Sequence, residues 1–501
     1  MLLPLRMSNT RGSSRPRPRA RRAWAASGRL LLLAVAVSSV HACARNPVTG
    51  ERELALISES QEIQMGQQGA QQVVQSLGLV EDQALQRYVD GIGQRLAAAS
   101  ERPDLPWSFA VVEDATPNAF ALPGGPVFLT RGMMALMESE AELASVLGHE
   151  IGHITARHSV NQMSNAQLAQ LGMGLGSVFV PALAGIGGQL LGTGFQLLFL
   201  KYGRDDERQS DELGFRYALN AGYDVREMDD VFAALQRIGE QRGSSPVPSW
   251  ASTHPAPAER IENIGAMIAE VEQRLVGLEV GHATYLRRID GLVYGENPRN
   301  GFFRNNVFLH PDLAFQMEFP DGWQKQNLPR AVVAVSPQQD AQIVLELAEG
   351  SPDAALQQFL GQQGIRTLSS TRGTTNGNPS ATGLFQAATQ QGTLAGAVRF
   401  ISYGGNTYQL LAITGADSFD RWERSFAGVF ESFARVTDSS VLNAQPNRIT
   451  VVELPAAMTL GAYNERYPSV IPLEELALIN HVTSASTRIP AGTLLKRVVG
   501  G

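Results

Sequence analysis

Hydrophobic and polar positions divide the chain into stretches of different rhythm. Leu143, Val146, Leu147, Ile151 and Ile154 recur at helical spacing, a pattern that buries one stripe of a helix. Ser139 followed by Glu142 fits a capping box. Glu138, Glu140 and Glu142 suit the positive start of that helix, and Arg157 and His158 suit its end. The pattern therefore predicts a helix from Ser139 to His158. Gly148 and Gly152 inside it each cost about 1 kcal/mol relative to Ala, which points to another element approaching closely there. Upstream, Ser58 to Leu77 and Asp82 to Ala99 read as helices, the second with Leu85, Val89, Ile92 and Leu96 on one face. Trp107 to Val112 and Val127 to Thr130 have strand character, the latter preceded by Pro and Gly that interrupt pairing. A strand in that place can be a sheet edge that takes an extended peptide by strand addition, or one arm of a plain hairpin against the core.

From Ser159 to Leu200 the chain has no Asp, Glu, Lys, Arg or His. A buried helix pair, a lid or a membrane-facing hairpin all fit such a segment. Pro181, Gly185, Gly187 and Gly188 argue against one straight spanning helix, and an apolar hairpin is expected. Charges return at Lys201, and a helix is expected to run to Asn220. His254 lies in a turn just before Pro255, and Glu259 to Leu275 reads as a helix. Residues 302–437 mix strands with helices at Pro352 to Gly364 and Phe419 to Phe433. There is no 34-residue helical repeat after residue 275.

Composition adds compartment. The 501 residues are 44% hydrophobic and 18% charged, enough for several folded domains. The net charge of −7 hides an asymmetry, because residues 1–42 hold eight Arg and no acid. The remainder is acidic, which argues against nucleic-acid binding. Arg11 to Arg29 is basic, and Leu30 to Val40 is an apolar run of the length of a signal h-region. Val40-His41-Ala42-Cys43 follows and resembles a bacterial lipobox. Cys43 is the only cysteine, so no intrachain disulfide forms and lipid attachment is the expected role. A plain secretory signal cut nearby is the alternative.

The chemistry centres on His149-Glu150-Ile151-Gly152-His153. Residues four apart on a helix share a face, so His149 and His153 can offer ring nitrogens to one metal ion, with Glu150 beside a water. Two histidines need a third ligand. Glu207 can supply it, and Asp211, four residues on, can take the N–H of a ligating His. By themselves these two acids also fit a solvated helix face, and a lone His254 also fits a surface loop.

Four stretches together resemble the HtpX/BepA-like family of gluzincin metallopeptidases: Asn118 to Gly125, His149 to His153, Arg204 to Gly214, and Thr253 to Arg260. Ser210 stands where the family pattern has Ala. The resemblance implies that His149, His153 and Glu207 bind one zinc ion. It implies that Glu150 is general base and later proton donor, with Asp211 behind a ligand. His254 would cap the metal's fourth position or stabilise the oxyanion. Asn118, Val127, Phe128 and Arg260 would contact substrate, the strand from Val127 holding its backbone. The implied fold class is multidomain α+β: a signal peptide (1–42), a mainly helical peptidase domain with a small edge-strand sheet (43–280), a linker (281–300), an α/β sandwich-like domain (301–440) that resembles PsbP/Mog-like proteins, and a LysM-like domain (446–501). Met458-Thr-Leu-Gly-Ala-Tyr-Asn and Ile489-Pro-Ala-Gly-Thr carry the last resemblance, although Pro455-Ala-Ala replaces the usual Gly-Asp. The expected function is a zinc endopeptidase of the bacterial envelope, lipid-anchored to the outer membrane and acting on misfolded or misassembled envelope proteins. Peptidoglycan is a second expected partner. An envelope chaperone or a peptidoglycan-tethered scaffold is the alternative.

Overall fold

The structure is a computed structural model that describes residues 43–54, 56–172, 201–241, 250–254, 257–328, 330–389 and 392–501. The expected signal segment, 1–42, and most of the expected apolar hairpin, 173–200, lie outside the described residues. The chain divides into two units, residues 1–56 and 57–501. In the first, β1 (Cys43–Arg45) pairs antiparallel with β2 (Arg52–Leu54). The side chain of Asn46 closes the connecting turn by accepting from the amides of Val48 and Thr49.

The second unit opens with α1 (Glu59–Leu77), capped by Ser58 and Gln61 in a reciprocal box, and α2 (Gln83–Ala97), capped by Asp82. A three-stranded sheet follows: β3 (Ser108–Val112), β4 (Ala119–Ala121) and β5 (Pro126–Thr130), in the spatial order β3-β5-β4. β5 pairs parallel with β3 and antiparallel with β4. The expectation that Val127 and Phe128 lie on a sheet edge is thereby corrected. The Pro-Gly-Gly-Pro turn at 123–126 folds β5 back between two neighbours, so its backbone is already paired on both sides. The outer edge of β3 is closed by side chains of α2. Gln86 bonds both the amide and the carbonyl of Val111, Asp90 accepts from Phe109 N–H, and Gln94 donates to Trp107 O. Among the described residues neither β3 nor β4 has a strand on its outer side, and that of β3 is covered by these α2 side chains.

Helix α3 (Arg131–Leu136) leads into α4 (Glu140–Thr155), every residue of which is buried. Ser139 caps α4 by accepting from Glu142 N–H, and the Glu142 carboxylate reaches back to Glu138 N–H. The Ser139 cap read from the sequence is therefore formed, but the return bond of a capping box goes to Glu138 N–H rather than to the cap residue itself. Next come α5 (His158–Gly172), α6 (Arg204–Asn220), α7 (Glu227–Gln241), the single turn α8 (Trp250–Thr253) and α9 (Pro257–Val271). Residues 281–300, expected as a linker, carry α10 (His282–Ile289), whose Tyr285, Leu286 and Ile289 are buried. Tyr285 donates to Met134 O, fixing α10 against the end of α3.

Residues 302–435 form a seven-stranded and a four-stranded antiparallel sheet, with helices Pro352–Leu360 and Phe419–Glu431. Phe315, Trp323, Phe426 and Phe433 help fill their shared core. In residues 446–501, strands Arg448–Glu453 and Leu494–Val499 pair around helices Leu460–Arg466 and Leu473–Ile479. The molecule is thus a mixed helix-and-sheet protein of several parts. No helix among the described residues is long and apolar enough to cross a membrane.

Candidate metal centre

The site exists because α4 and α6 cross at contact distance. A Cβ on Gly214 would lie 2.6 Å from His149 N, and one on Gly148 would lie 2.9 Å from Gly214 O. A Cβ on Gly152 would meet Ser210 Cα at 3.0 Å. Only glycine lets the two backbones meet this way. The close crossing anticipated from Gly148 and Gly152 is present, and Gly214 completes it from the other helix.

This crossing brings Glu207 of α6 against both histidines of α4. His149 Nε2 and His153 Nε2 are 3.0 Å apart, and each lies 3.6 Å from an oxygen of Glu207. His254, at the end of α8, places Nδ1 2.9 Å from Glu207 Oε1 and 3.3 Å from His149 Nε2. All four side chains are buried, and together they form a group able to hold a metal ion. Their separations resemble the edges of a small tetrahedron, about 3.4 Å for nitrogen and oxygen ligands at zinc distances. His149 Nδ1 faces Asp211 Oδ1 at 2.9 Å and must donate to it. The Nε2 of that ring therefore turns a bare lone pair towards His153. Lone pairs converging in a buried place are satisfied by a cation, so the donor set fits a metal.

Electrostatics keeps His149, His153 and Glu207 in the ligating state. Burial first, and then the Arg260 charge, lowers the His149 pKa to about 4. Burial and the neighbouring His149 hold His153 well below its ordinary value. Both rings are neutral at neutral pH, as metal binding requires. Burial pushes the Glu207 carboxyl up, but His254, His149 and Arg260 more than offset it and leave its pKa lowered. Burial disfavours charge on His254, yet Glu207 and Glu150 raise its pKa.

Arg260 does not sit where a substrate contact was expected. Its guanidinium is buried and grips Asp211 with two bonds of 2.8 and 2.7 Å. It also lies 2.9 Å from Glu207 Oε2 and stacks 4.3 Å from the Phe232 ring. A planar fork between two carboxylates is the geometry arginine favours. Arg260 thus orients Asp211, which orients His149. The sequence pattern placed it near the site but could not show which way it pointed.

Glu150 is different in kind. It is fully buried, and neither carboxylate oxygen has a hydrogen-bond partner. Its nearest charged neighbour is His254 Nε2 at 3.6 Å. Burial raises its pKa to about 7. A desolvated carboxylate poised near neutrality beside a ligand cluster is suited to moving a proton.

The sheet lies alongside. Thr130 N–H bonds Asn118 O, and Leu122 N–H bonds Pro126 O, so the even-numbered residues of this segment face β5. The amides of Ala119 and Ala121 consequently face away from β5, towards the outer side of β4, where both residues are buried. Asn118 is buried at the start of this strand, its N–H donating to Thr130 Oγ1. Cys43 opens β1.

Three residues near the centre were missed in the sequence. Tyr202 stacks on the His153 ring at 3.8 Å, and Trp250 stacks on His254 at 4.1 Å. His158 places Nδ1 3.0 Å from His153 Nδ1. The aromatics carry no spacing signal of their own, and His158 read as a helix-end charge.

Comparisons with known proteins point the same way. Residues 83–268 match peptidase family M48. The putative beta-barrel assembly-enhancing protease of Vibrio cholerae is 31% identical over 46% of this chain and 50% of its own length. The beta-barrel assembly-enhancing protease of Escherichia coli K12 is 30% identical over 43% of this chain and 45% of its own. The mitochondrial metalloendopeptidase OMA1 of Schizosaccharomyces pombe is 28% identical over 48% of this chain and 70% of its own. The chain thus spans about half the length of the bacterial relatives it matches. Among solved structures, cyanobacterial PsbP from Synechocystis is 12% identical over 26% of this chain and 94% of its own. Its TM-score of 0.23 is too low to support a fold assignment.

Proposed function

From the match of residues 83–268 to peptidase family M48, we propose that this protein is a zinc-dependent endopeptidase of the bacterial cell envelope. The observation that carries the reading is Glu150, a buried carboxylate without a hydrogen-bond partner beside a four-residue ligand cluster. His149, His153 and Glu207 would hold the metal. A zinc ion bound there would supply a Lewis acid for the scissile carbonyl and for a water. Glu150 takes the proton of the attacking water and delivers it to the departing amine nitrogen as the peptide C–N bond breaks. Asp211 fixes the tautomer of His149, and Arg260 fixes Asp211. The outer edge of β4 takes the substrate backbone as an added strand through Ala119 and Ala121. Asn118 holds the start of that strand.

His254 is the gate. Its ring lies within the ligand group, 2.9 Å from Glu207 and stacked on Trp250. In this arrangement it fills the place that water needs, so hydrolysis waits on movement of the residue 250–254 segment.

The substrates are misfolded or misassembled envelope proteins. This reading is supported by the names of the bacterial relatives, and by the basic, apolar N-terminal segment that ends at Cys43. Lipid on Cys43 would tether the chain to the outer membrane. Residues 301–440 act as a spacing or binding module, and 446–501 as a LysM-like part that caps the peptidase or contacts peptidoglycan. The purified chain should cleave casein, lose that activity on treatment with a chelator, and regain it with zinc. Cleavage that survives complete metal removal contradicts the reading.

A further inference from the structure

We propose that His158 is a positioning residue of the metal centre: its Nδ1 accepts the hydrogen of His153 Nδ1 and so fixes the tautomer in which His153 Nε2 faces the cluster. This rests on the reading of His149, His153 and Glu207 as metal ligands.

A ligating imidazole must carry its proton on the nitrogen that points away from the metal. For His149 that nitrogen faces Asp211, 2.9 Å away. His153 has a different arrangement. Its Nε2 points into the cluster, 3.0 Å from His149 Nε2, and its Nδ1 faces His158 Nδ1 at 3.0 Å. Two ring nitrogens at that distance share one hydrogen. If His153 Nε2 is bare, the shared hydrogen belongs to His153 Nδ1, and His158 Nδ1 must be the acceptor. With Nδ1 accepting, the His158 ring carries its hydrogen on Nε2, which faces Gln209 Oε1 at 2.9 Å, an acceptor. Ser210 Oγ, 3.3 Å from His158 Nδ1, can donate to the same bare nitrogen. The Gln209 carbonyl oxygen, which can only accept, thus favours this direction of the chain, and the Ser210 hydroxyl is compatible with it. The reverse direction would place the His153 proton on Nε2, inside the cluster, and cost the site a ligand.

The local fold holds His158 in place. Arg157 adopts the left-handed conformation, φ 60°, between α4 and α5. For a residue with a Cβ this costs on the order of 1–2 kcal/mol. The conformation is held by the buried Arg157 side chain, which donates to Glu62 Oε2 at 3.0 Å and to Ile57 O at 2.9 Å. The reversal turns the His158 ring back onto His153, with ring centres 5.0 Å apart and planes at 76°. Tyr202 stacks on a face of His153 and is tied to Ser159 at 2.8 Å. His153 is thereby fixed both at its far nitrogen and over its ring. Helix α6 orients both histidine ligands, one directly through Asp211 and one through Gln209 and an intervening ring. Asp211 has the Arg260 guanidinium behind it, whereas the second orienter is an imidazole with the Gln209 amide behind it.

The test compares zinc affinity by chelator competition, and the visible spectrum of the cobalt-loaded protein, across the full-length wild type, His158→Phe and His158→Asn. The thermal midpoint of each metal-free protein is measured alongside. His158→Phe keeps the ring volume but has no acceptor, and should bind zinc about 10- to 100-fold more weakly, with a metal-free midpoint close to wild type. His158→Asn returns an oxygen near the Nδ1 position and should recover most of the affinity. The proposal is overturned if His158→Phe binds zinc as tightly as wild type. It is also overturned if both variants weaken equally and in step with a lower metal-free midpoint, which is the signature of a packing role. A wild type that binds no zinc overturns the metal reading itself, a result distinct from either.

Discussion

At the scale of single residues, the centre separates ligands from the group that moves the proton. His149, His153, Glu207 and His254 meet within a few ångströms, while Glu150 stands beside them with no hydrogen-bond partner. His254 gives this scale its sharpest prediction. If its ring holds the closed arrangement in about nine molecules of ten, His254→Ala should raise kcat/KM on casein roughly tenfold. Unchanged or lost activity would remove the gate from the account. Much of this scale was legible in the sequence. The four-residue spacing of the histidines is a consequence of helix geometry, and it places both on one face without knowledge of the rest. Arg260 was legible only as a position. Whether a guanidinium points at substrate or at a buried carboxylate depends on packing from α6 and α7, which no local pattern records.

Elements fix the distances between those residues. The crossing of α4 and α6 relies on Gly148, Gly152 and Gly214, whose missing side chains let backbone meet backbone. Gly214→Ala should cost about 1–3 kcal/mol through overpacking. It should lower the urea midpoint, and it should loosen the metal by moving Glu207 away from the histidines. A variant of wild-type stability would mean that the helices can part without consequence. Helices were the most readable elements, since α2 and α4 announce themselves by apolar period and caps. The sheet was harder. A strand beside a Pro-Gly-Gly-Pro turn reads as an edge, but its place in the sheet depends on β3, which pairs with it from 18 residues upstream. The long hairpin at Ile365–Thr375 and Asn378–Thr389 also went unread. Its first strand is exposed on both faces, so it lacks the alternation by which strands are recognised.

Across the whole molecule, the C-terminal region is tied to the peptidase through a buried lysine. Lys496 Nζ is fully buried and donates to the carbonyls of Ala135, Leu136 and Met137 at 3.1, 3.1 and 2.8 Å. These carbonyls end α3, just before the Ser139 cap of the metal helix. Nearby, His481 lies 3.2 Å from Glu142 in the first turn of that helix. The C-terminal part therefore braces the start of α4. Burial lowers the Lys496 pKa to about 8, against about 10.4 for an unfolded lysine. Between these values the unfolded chain binds more protons than the folded one. The contribution of this group to stability therefore rises with pH across that window. Below about pH 8 the full cost of burying the charge is present. The stability difference between wild type and Lys496→Met should accordingly shift towards wild type between pH 7.5 and 10, by at most about 3 kcal/mol. A difference that stays flat would mean that burial does not lower the Lys496 pKa. No sequence pattern links residue 496 to residue 135, because the contact depends on how separately folded parts dock.

The central claim is that one metal site, with Glu150 as its proton carrier, makes this chain a peptidase. The most direct measurement is zinc content together with casein cleavage, comparing wild type with Glu150→Gln. The account predicts about one zinc per chain in both proteins, with cleavage reduced by at least about 10²- to 10⁴-fold in the variant. A variant that holds zinc and still cleaves like wild type, or a wild type that cleaves without zinc, would contradict it.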